Sequence, residues 1–224
     1  MEKDIKDYRE KELKNYVIGN ILLILIGTGI LGNLITAIGK ENIWDAIDAL
    51  IGSGVISALI YIYVFLIDCI VPGDVKNWII WPKAGLPGNR VFSEIMQNNK
   101  DKRFTTQAVQ RKYAGVYEKI SESDSAMRKR IENSAWYAAY QRNEKSAQVF
   151  VSNRDWLLCR DMFVMTVWII IGYIFALCFM RKSSPCWMNV VFLVELAATW
   201  AAAKIKSKRF VYNVIAKDLY SGER

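Results

Sequence analysis

The stretch that decides the fold is Met162–Met180, "MFVMTVWIIIGYIFALCFM", which contains no charged side chain. A helix of about 20 apolar residues spans the hydrocarbon core of a lipid bilayer, and this segment has that length and composition. It directly follows "NRDWLLCRD", residues 153–161, in which the pair Arg-Asp occurs twice. The sequence therefore predicts a membrane-spanning helix with a charged segment at its entrance.

Three other runs are long and apolar enough to span a bilayer, and each carries at most one acidic residue. They are Val17–Gly39, Ala49–Val71 and Trp187–Ala203. A cleaved signal sequence is a poor interpretation of the first run, because its flank mixes five acids with five bases. We therefore expect four membrane-spanning helices.

The connections Lys40–Trp44 and Arg181–Cys186 are short, so the four helices are expected to form two hairpins. The predicted fold is an all-α integral membrane protein in which the hairpins flank a small helical cytoplasmic domain. The expected divisions are a charged N-terminal segment (1–16), the first hairpin (17–71), an interfacial segment with the helical domain (72–161), the second hairpin (162–203) and a basic tail (204–224).

The distribution of Lys and Arg sets the orientation that we expect. The N-terminal segment holds 5, the central segment 16 and the tail 6, whereas the two hairpin connections hold 3 together. Basic segments stay on the cytoplasmic side of a membrane. A multi-pass protein of the inner membrane with both termini in the cytoplasm is predicted. Anionic lipid accounts for the net charge of +8, so a nucleic-acid partner is not expected.

The composition argues against catalysis and metal binding. Histidine is absent, which removes the usual general base and the commonest metal ligand. The four cysteines form no Cys-x-x-Cys pair, and "GLPG" at residues 85–88 lacks the Lys-Ser/Thr ending of a phosphate-binding loop. A membrane enzyme acting on a lipid or phosphate is a third hypothesis that no motif supports. We expect no enzyme, no metal and no cofactor.

The central segment is predicted to be helical. Apolar positions at helical spacing indicate helices over Arg90–Asn98, Thr106–Ile120 and Ala126–Arg142. The sequence "SESDS" at residues 121–125 separates the last two and can cap the third helix. "AQVFV" at residues 147–151 is the one short stretch with a strand-like pattern.

One face of this domain is a candidate surface for a protein partner or an anionic small molecule. Aromatic rings can stack on such a ligand while basic groups neutralise it. The residues proposed for it are Arg111, Lys112, Arg128, Lys129, Arg130 and Tyr137. The alternative is that the aromatic residues at helical spacing form the core of the domain; these are Tyr113, Tyr117, Trp136, Tyr137 and Tyr140.

Glu195 is the candidate intramembrane site, because an ionisable residue in the middle of a span is energetically costly. Thr28, Ser57 and Tyr173 lie at similar depth on the other spans and could hydrogen-bond its carboxyl group. The layer would serve either an ion, proton or pore-lining role or simply hold the helices together.

The charges ahead of the third span are predicted to mark a membrane boundary that couples the domain to the membrane. Ser152 is expected to cap a helix that runs from Asn153 to Met180. Arg154 and Asp161 lie two turns apart along this helix, and Arg160 and Asp155 lie about 140° apart around it, so the four charges form no local catalytic dyad. Asp161 most needs a partner, for which Arg160 and Lys204 are the candidates.

These features predict an oligomeric membrane protein whose cytoplasmic domain senses a ligand or partner and modulates the membrane bundle, as a channel or effector does. Small residues spaced four apart on all four spans favour close packing and a homo-oligomer. The layout is similar in outline to small bacterial membrane effectors and sensors, including those of anti-phage defence, although no specific residues carry this similarity. The alternative is a non-catalytic membrane anchor or scaffold for a cytoplasmic protein.

Overall fold

The structure is a computed structural model that describes residues 5–30, 32, 36, 54–55, 58–59, 61–63, 65–66, 69–82, 85–180 and 183–221. All regular secondary structure in this part of the chain is helical, and no strand occurs in it. The prediction of an all-α fold is therefore confirmed for the described residues. The segment "AQVFV" is the first part of a helix.

Eight α-helices and one short 3-10 helix at Pro87–Asn89 have both of their ends among the described residues. The α-helices are α1 (Ile5–Gly27), α2 (Gly73–Ile80), α3 (Val91–Asn98), α4 (Thr106–Lys112), α5 (Ala114–Ser121), α6 (Ser125–Asn143), α7 (Ala147–Met180) and α8 (Cys186–Tyr220).

Two of the described helices, α7 and α8, are long and apolar enough to cross a membrane. Large apolar side chains lie exposed along both of them, among them Phe179, which is 84% exposed, and Leu193. Such exposed apolar surface fits contact with lipid. Most of the segment 31–68, which holds the remainder of the first predicted hairpin, lies outside the described residues. Those of its residues from 54 to 66 that are described are helical.

The first apolar run is interrupted. Helix α1 ends at Gly27, and Thr28 and Gly29 form a turn in which Gly29 has a φ of 75°. That left-handed conformation is accessible to glycine at little cost and ends an α-helix. The expectation of one helix over Val17–Gly39 is therefore wrong at this turn.

The chain divides into two compact units. Unit 1 comprises Met1–Lys76 and Leu158–Ala201, and unit 2 comprises Asn77–Leu157 and Ala202–Arg224. Helices α7 and α8 each contribute residues to both units.

The core of unit 1 is formed by apolar side chains of α1, α7 and α8. Val17, Ile21 and Ile24 of α1 are buried in the same cluster as Ile169 of α7 and Met188 of α8. Gly27 allows α1 to approach Met188 of α8 closely, because a Cβ atom at position 27 would lie 1.7 Å from the sulfur atom of Met188.

The core of unit 2 combines the short helices with the ends of α7 and α8. Phe92, Val109 and Ala139 are fully buried, and so are Val149 of α7 and Val214 of α8. The segment predicted as a basic tail therefore continues α8 to Tyr220 and fills the core of unit 2. A domain of this size needs that extra apolar area for stability.

Two helix predictions for unit 2 hold and one is corrected. Helices α3 and α6 agree with the predicted ranges to within one residue at each end, and Asp124 of "SESDS" caps α6. The predicted helix over Thr106–Ile120 is broken at Tyr113, whose φ and ψ are −111° and 30°. The ring of Tyr113 contacts Phe92 in the buried core, and this tertiary packing outweighs the local apolar pattern.

Helix α7 begins at Ala147, six residues before the predicted start at Asn153. Ser152 is not its cap, because the Ser152 hydroxyl donates to the carbonyl oxygen of Gln148 at 2.9 Å within the helix. A serine can satisfy its hydroxyl in this way and remain inside a helix. The predicted continuity up to Met180 is confirmed.

Candidate functional site

Glu195 is paired with Asn20, a residue that the sequence reasoning did not select. The Nδ2 atom of Asn20 donates to Oε1 of Glu195 at 2.9 Å and to the carbonyl oxygen of Tyr16 at 3.2 Å. Asn20 lies on α1 and is 5% exposed. Its signal in the sequence was a lone amide side chain inside an apolar run, which is costly to bury without a partner.

Two of the other residues predicted to form the intramembrane layer make different hydrogen bonds. The Tyr173 hydroxyl bonds the Ser184 hydroxyl at 3.0 Å, and the Thr28 hydroxyl donates to the carbonyl oxygen of Ile24 at 2.8 Å. The third, Ser57, lies outside the described residues. The described side chain that hydrogen-bonds Glu195 is Asn20.

A cavity of about 590 Å³ opens beside this pair and is lined by Tyr16, Asn20 and Glu195 together with apolar residues. The Tyr16 hydroxyl bonds the Thr166 hydroxyl at 2.6 Å. Oδ1 of Asn20 and Oε2 of Glu195 are buried and have no hydrogen-bond partner in the described part of the chain. Two acceptor oxygens without donors are costly in an apolar setting, so this pair could accept hydrogen bonds from a ligand or contact a cation.

The four charges ahead of the third span form two separate pairs. Asp161 is fully buried, and its carboxylate accepts a hydrogen bond from Nε of Arg160 at 2.8 Å. Arg160 is one of the two partners predicted for it. Nζ of Lys76 lies 3.9 Å from the same carboxylate. Lys204, the other candidate, stands 5.0 Å from the centre of the Trp81 ring.

Asp155 bonds two cations in unit 2. Nη2 of Arg154 lies 2.9 Å from Oδ1, and Nζ of Lys206 lies 2.8 Å from Oδ2. Burial alone raises the pKa of Asp155, but the hydrogen bonds from Lys206 and Arg154 outweigh it and hold the pKa below its usual value. The contact between Asp155 and Lys206 connects α7 to α8 within unit 2.

Asp218 forms the largest polar cluster of unit 2. Its carboxylate, 1% exposed, accepts two bonds from the Arg142 guanidinium at 2.9 and 3.0 Å. The Tyr113 hydroxyl donates at 2.6 Å and the Asn143 amide at 2.7 Å. Nζ of Lys112 lies 3.3 Å from Oδ2 and also bonds the Asp218 carbonyl oxygen. The Asp218 cluster thus fastens α4 and α6 to the end of α8.

These donors determine the ionisation of Asp218. Burial raises its pKa, but the hydrogen bonds from Arg142 and Tyr113 and the charge of Lys112 lower the pKa to about 2. Burial and the bond to this carboxylate raise the pKa of Tyr113 well above its usual value, so Tyr113 stays a neutral donor.

Glu132 is a second buried carboxylate that the sequence reasoning missed. Oε2 accepts from the backbone N–H groups of Phe92 at 2.8 Å and Ser93 at 3.1 Å, at the start of α3. A helix start exposes N–H groups without intrahelical partners, and a carboxylate satisfies them. Burial raises the pKa of Glu132 above its usual value, although these bonds lower it in part. Its role is to hold α3 on α6.

The predicted ligand surface is divided by the fold. Lys112 belongs to the Asp218 cluster, whereas Arg111, Arg128, Lys129 and Arg130 are exposed and Tyr137 is 50% exposed. The other aromatic residues form internal contacts, such as that of Trp136 with Phe210 at 5.5 Å between ring centres. The core interpretation therefore fits Tyr113 and Trp136, and the exposed part of the predicted surface lies on α6, except for Arg111 on α4.

A different basic surface lies elsewhere in unit 2. The loop at residues 100–103 and helix α8 enclose a groove of about 670 Å³. We call it the basic groove; its cationic lining residues are Lys100, Lys102, Arg103, Lys208 and Arg209. Tyr212 and Asn213 of α8 also line it. Sequence reasoning assigned the α8 bases to the lipid surface and did not group them with the loop.

The described residues contain no group of three or more His, Cys, Asp or Glu side chains that could hold a metal ion. The buried carboxylates Asp218 and Glu132 each accept several hydrogen bonds that fix their positions, and Asp161 is held by Arg160 and lies near Lys76. No family model matches the chain, and neither a curated protein nor a solved structure matches it.

Proposed function

We propose that this chain is an oligomeric inner-membrane protein whose cytoplasmic helical domain senses a ligand or a protein partner and modulates the membrane bundle. One observation carries the proposal: α7 and α8 each supply an apolar segment long enough to span a bilayer and a second segment to the core of unit 2. A change in the packing of unit 2 would therefore act directly on two helices that could cross the membrane.

The contacts of α8 in unit 2 support this route. Phe210 packs edge-on against both Trp136 and Tyr140 of α6, at 5.5 and 5.6 Å between ring centres. The Asp218 cluster fixes the same helix two turns further along. Buried charge networks of this kind hold one arrangement, and a ligand that favours another arrangement shifts the population.

The Asn20–Glu195 pair is the proposed point of action in the membrane. In this proposal four spans form two hairpins with both termini in the cytoplasm, which is what the distribution of Lys and Arg favours. Glu195 then lies in the middle of a span, where its protonation or its contact with a cation alters the bundle. Small residues on the spans support the proposed homo-oligomer.

Ion flux from liposomes that contain the full chain tests this function. The variant Glu195→Gln keeps the shape of the side chain but removes its charge. The variant Asp218→Asn weakens the hydrogen bonds that hold α8 in unit 2. We expect both to change the flux at least severalfold relative to the unaltered chain. Glu118→Gln, which removes an exposed carboxylate of α5, is the matched control.

Flux at the level of protein-free liposomes for the unaltered chain and for both variants, under every pH and ionic condition tried, would contradict the proposal. An equal change with Glu118→Gln would contradict the roles given to Glu195 and Asp218.

The second candidate is a membrane anchor for a cytoplasmic protein, and the exposed face of α6 favours it. Arg128, Lys129 and Arg130 are exposed together with Met127 and Tyr137. In this case substitution of the three basic residues abolishes capture of the partner, whereas Glu195→Gln leaves the capture unchanged. The opposite pattern excludes the anchor.

A further inference from the structure

We propose that the basic groove of unit 2 binds a phosphate-bearing anion. The inference rests on the proposed function, since it names the class of ligand that the helical domain would sense. It also places the ligand away from the surface on α6 that the sequence indicated.

The charge balance of the basic groove is the first argument. Five basic residues line it against two acidic ones, Glu94 and Asp101. Both acids are engaged, Glu94 with Arg90 at 2.8 Å and Asp101 with Arg103 at 2.6 Å. The remaining four bases are exposed and make no ion pair with any described residue; they are Lys100, Lys102, Lys208 and Arg209. Such a concentration of unpaired positive charge attracts a multiply charged anion.

The loop that carries half of these charges is held in place by its own hydrogen bonds. Asn99 donates to the carbonyl oxygen of Phe104 at 2.8 Å and accepts from the N–H of Asp101 at 3.0 Å. Asp101 in turn accepts from the backbone N–H and the guanidinium of Arg103. A binding loop whose backbone is fixed beforehand loses less entropy when it binds a ligand.

Helix α8 anchors the same loop. Nη1 of Arg103 donates to Oδ1 of Asn213 at 2.7 Å, and the Tyr220 hydroxyl donates to the carbonyl oxygen of Arg103 at 2.9 Å. The rings of Phe104 and Tyr212 stack at 6.3 Å. The loop and α8 therefore form one structure, and Lys208 and Arg209 of α8 line the same groove as the bases of the loop.

The chemistry of the lining selects phosphate. A single carboxylate carries one charge, whereas a phosphate monoester carries nearly two and offers three oxygens to Lys and Arg donors. Burial, with Glu94 and Asp101 nearby, raises the pKa of Tyr212 to about 12, so its hydroxyl stays protonated and can donate. Guanidinium groups such as that of Arg209 bind phosphate oxygens in pairs.

The space exceeds what a bare phosphate fills. The groove of about 670 Å³ has the size of a small-molecule site. A neighbouring cavity of about 520 Å³ shares Arg103, Arg209 and Asn213 with it. Two sources of phosphate fit this description, a soluble phosphate ester and the headgroup of an anionic lipid.

The test uses the full chain in nanodiscs. In one arm the lipid is purely zwitterionic, and pyrophosphate and ATP are titrated while binding heat is measured. In the other arm the nanodisc contains phosphatidylglycerol, and native mass spectrometry counts the anionic lipids that each released chain retains. The variant Lys208→Glu with Arg209→Glu reverses the charge on one wall of the groove.

If the ligand is a soluble phosphate ester, we expect this double variant to weaken binding of the soluble probes at least tenfold. If the ligand is a lipid headgroup, we expect the variant to lose the retained anionic lipid. Lys119→Glu with Lys145→Glu, two exposed bases outside the groove, makes the same change in net charge and should leave binding within twofold. Tryptophan fluorescence during heating checks folding. If the glutamate pair lowers the melting temperature, Lys208→Gln with Arg209→Gln replaces it, with Lys119→Gln and Lys145→Gln as its control.

Three results would overturn the inference. The first is that neither soluble probe binds and no lipid is retained above the zwitterionic background. The second is an equal loss of binding in the control variant, and the third is a loss of binding caused only by Lys129→Glu with Arg130→Glu on α6. The two proposals separate cleanly. Phosphate binding without any effect on liposome flux contradicts the proposed function alone, whereas altered flux in Glu195→Gln without phosphate binding contradicts the ligand alone.

Discussion

The buried side chain of Asp218 is the centre of a network of hydrogen bonds and ion pairs in unit 2. Its carboxylate is buried, yet four residues from two segments of the chain, 112–113 and 142–143, bond it, and Arg142 does so twice. Removing one partner from such a network leaves the other charges uncompensated, which makes the network more sensitive to substitution than a surface ion pair.

The variant Asp218→Asn is expected to lower the free energy of unfolding of the full chain by about 2 kcal/mol at pH 7, as a shift in pKa from near 4 to about 2 implies. A carboxylate with a lowered pKa stabilises the fold above its unfolded-state pKa. The contribution then disappears as the pH falls from about 4 to 2. Chemical unfolding in detergent, followed by tryptophan fluorescence at pH 7 and pH 3, measures both effects.

Glu118→Gln serves as the control for this experiment, since its carboxylate is exposed. A difference between Asp218→Asn and the unaltered chain that is the same at pH 7 and pH 3 would refute the role given to the ionised carboxylate.

The sequence allowed some of these residues to be found but not their partners. Glu195 and Asp161 could be selected because a charge in or beside an apolar run needs an explanation. Asn20, which bonds Glu195, lies 175 positions away, and Arg142 lies 76 positions from Asp218. Contacts over such separations depend on the packing of whole helices, which local spacing does not encode.

The starts and breaks of the helices could also be predicted only in part from the sequence. Asp124 could be predicted as a cap, because Asp ahead of a helical pattern accepts a backbone N–H of the first turn. Ser146 caps the start of α7 in the same way, since its hydroxyl oxygen accepts from the N–H of Val149 at 3.4 Å. The break at Tyr113 could not be predicted, because a buried aromatic contact decides it. Local chemistry therefore accounts for the starts of α6 and α7, and tertiary packing accounts for the break between α4 and α5.

The cap of α6 can be tested by itself. The N–H of Met127 donates to Oδ1 of Asp124 at 2.7 Å, and Asp124→Ala leaves that donor to water. We expect a loss of about 1 kcal/mol in the free energy of unfolding. Asp124→Ser retains an acceptor and should recover most of the loss in the same unfolding measurement. Equal stability of Asp124→Ala and the unaltered chain would contradict the capping role.

At the scale of the whole molecule, the four natural cysteines report the proposed topology. Cys186 directly precedes the fourth predicted span on the outer side, whereas Cys69 and Cys159 lie at the cytoplasmic ends of the second and third spans. Single-cysteine variants in intact spheroplasts should therefore react with a membrane-impermeant maleimide at Cys186 only. Cys69 and Cys159 should react after permeabilisation, and Cys178, inside the apolar run, should react least.

Mass spectrometry after labelling measures this pattern. Labelling of Cys159 from the outside would contradict the cytoplasmic placement of unit 2, and loss of the chain to the soluble fraction after alkaline extraction would contradict the spans themselves.

The contact between Gly27 and Met188 has a consequence for how this chain can evolve. A side chain at position 27 would occupy the space of the Met188 thioether, since a Cβ there would lie 1.7 Å from the sulfur and 2.7 Å from Cγ. A larger residue at position 27 therefore requires the flexible Met188 thioether to move to another position. The effect of a mutation at position 27 depends on the residue present at position 188, so we expect the two positions to be energetically coupled.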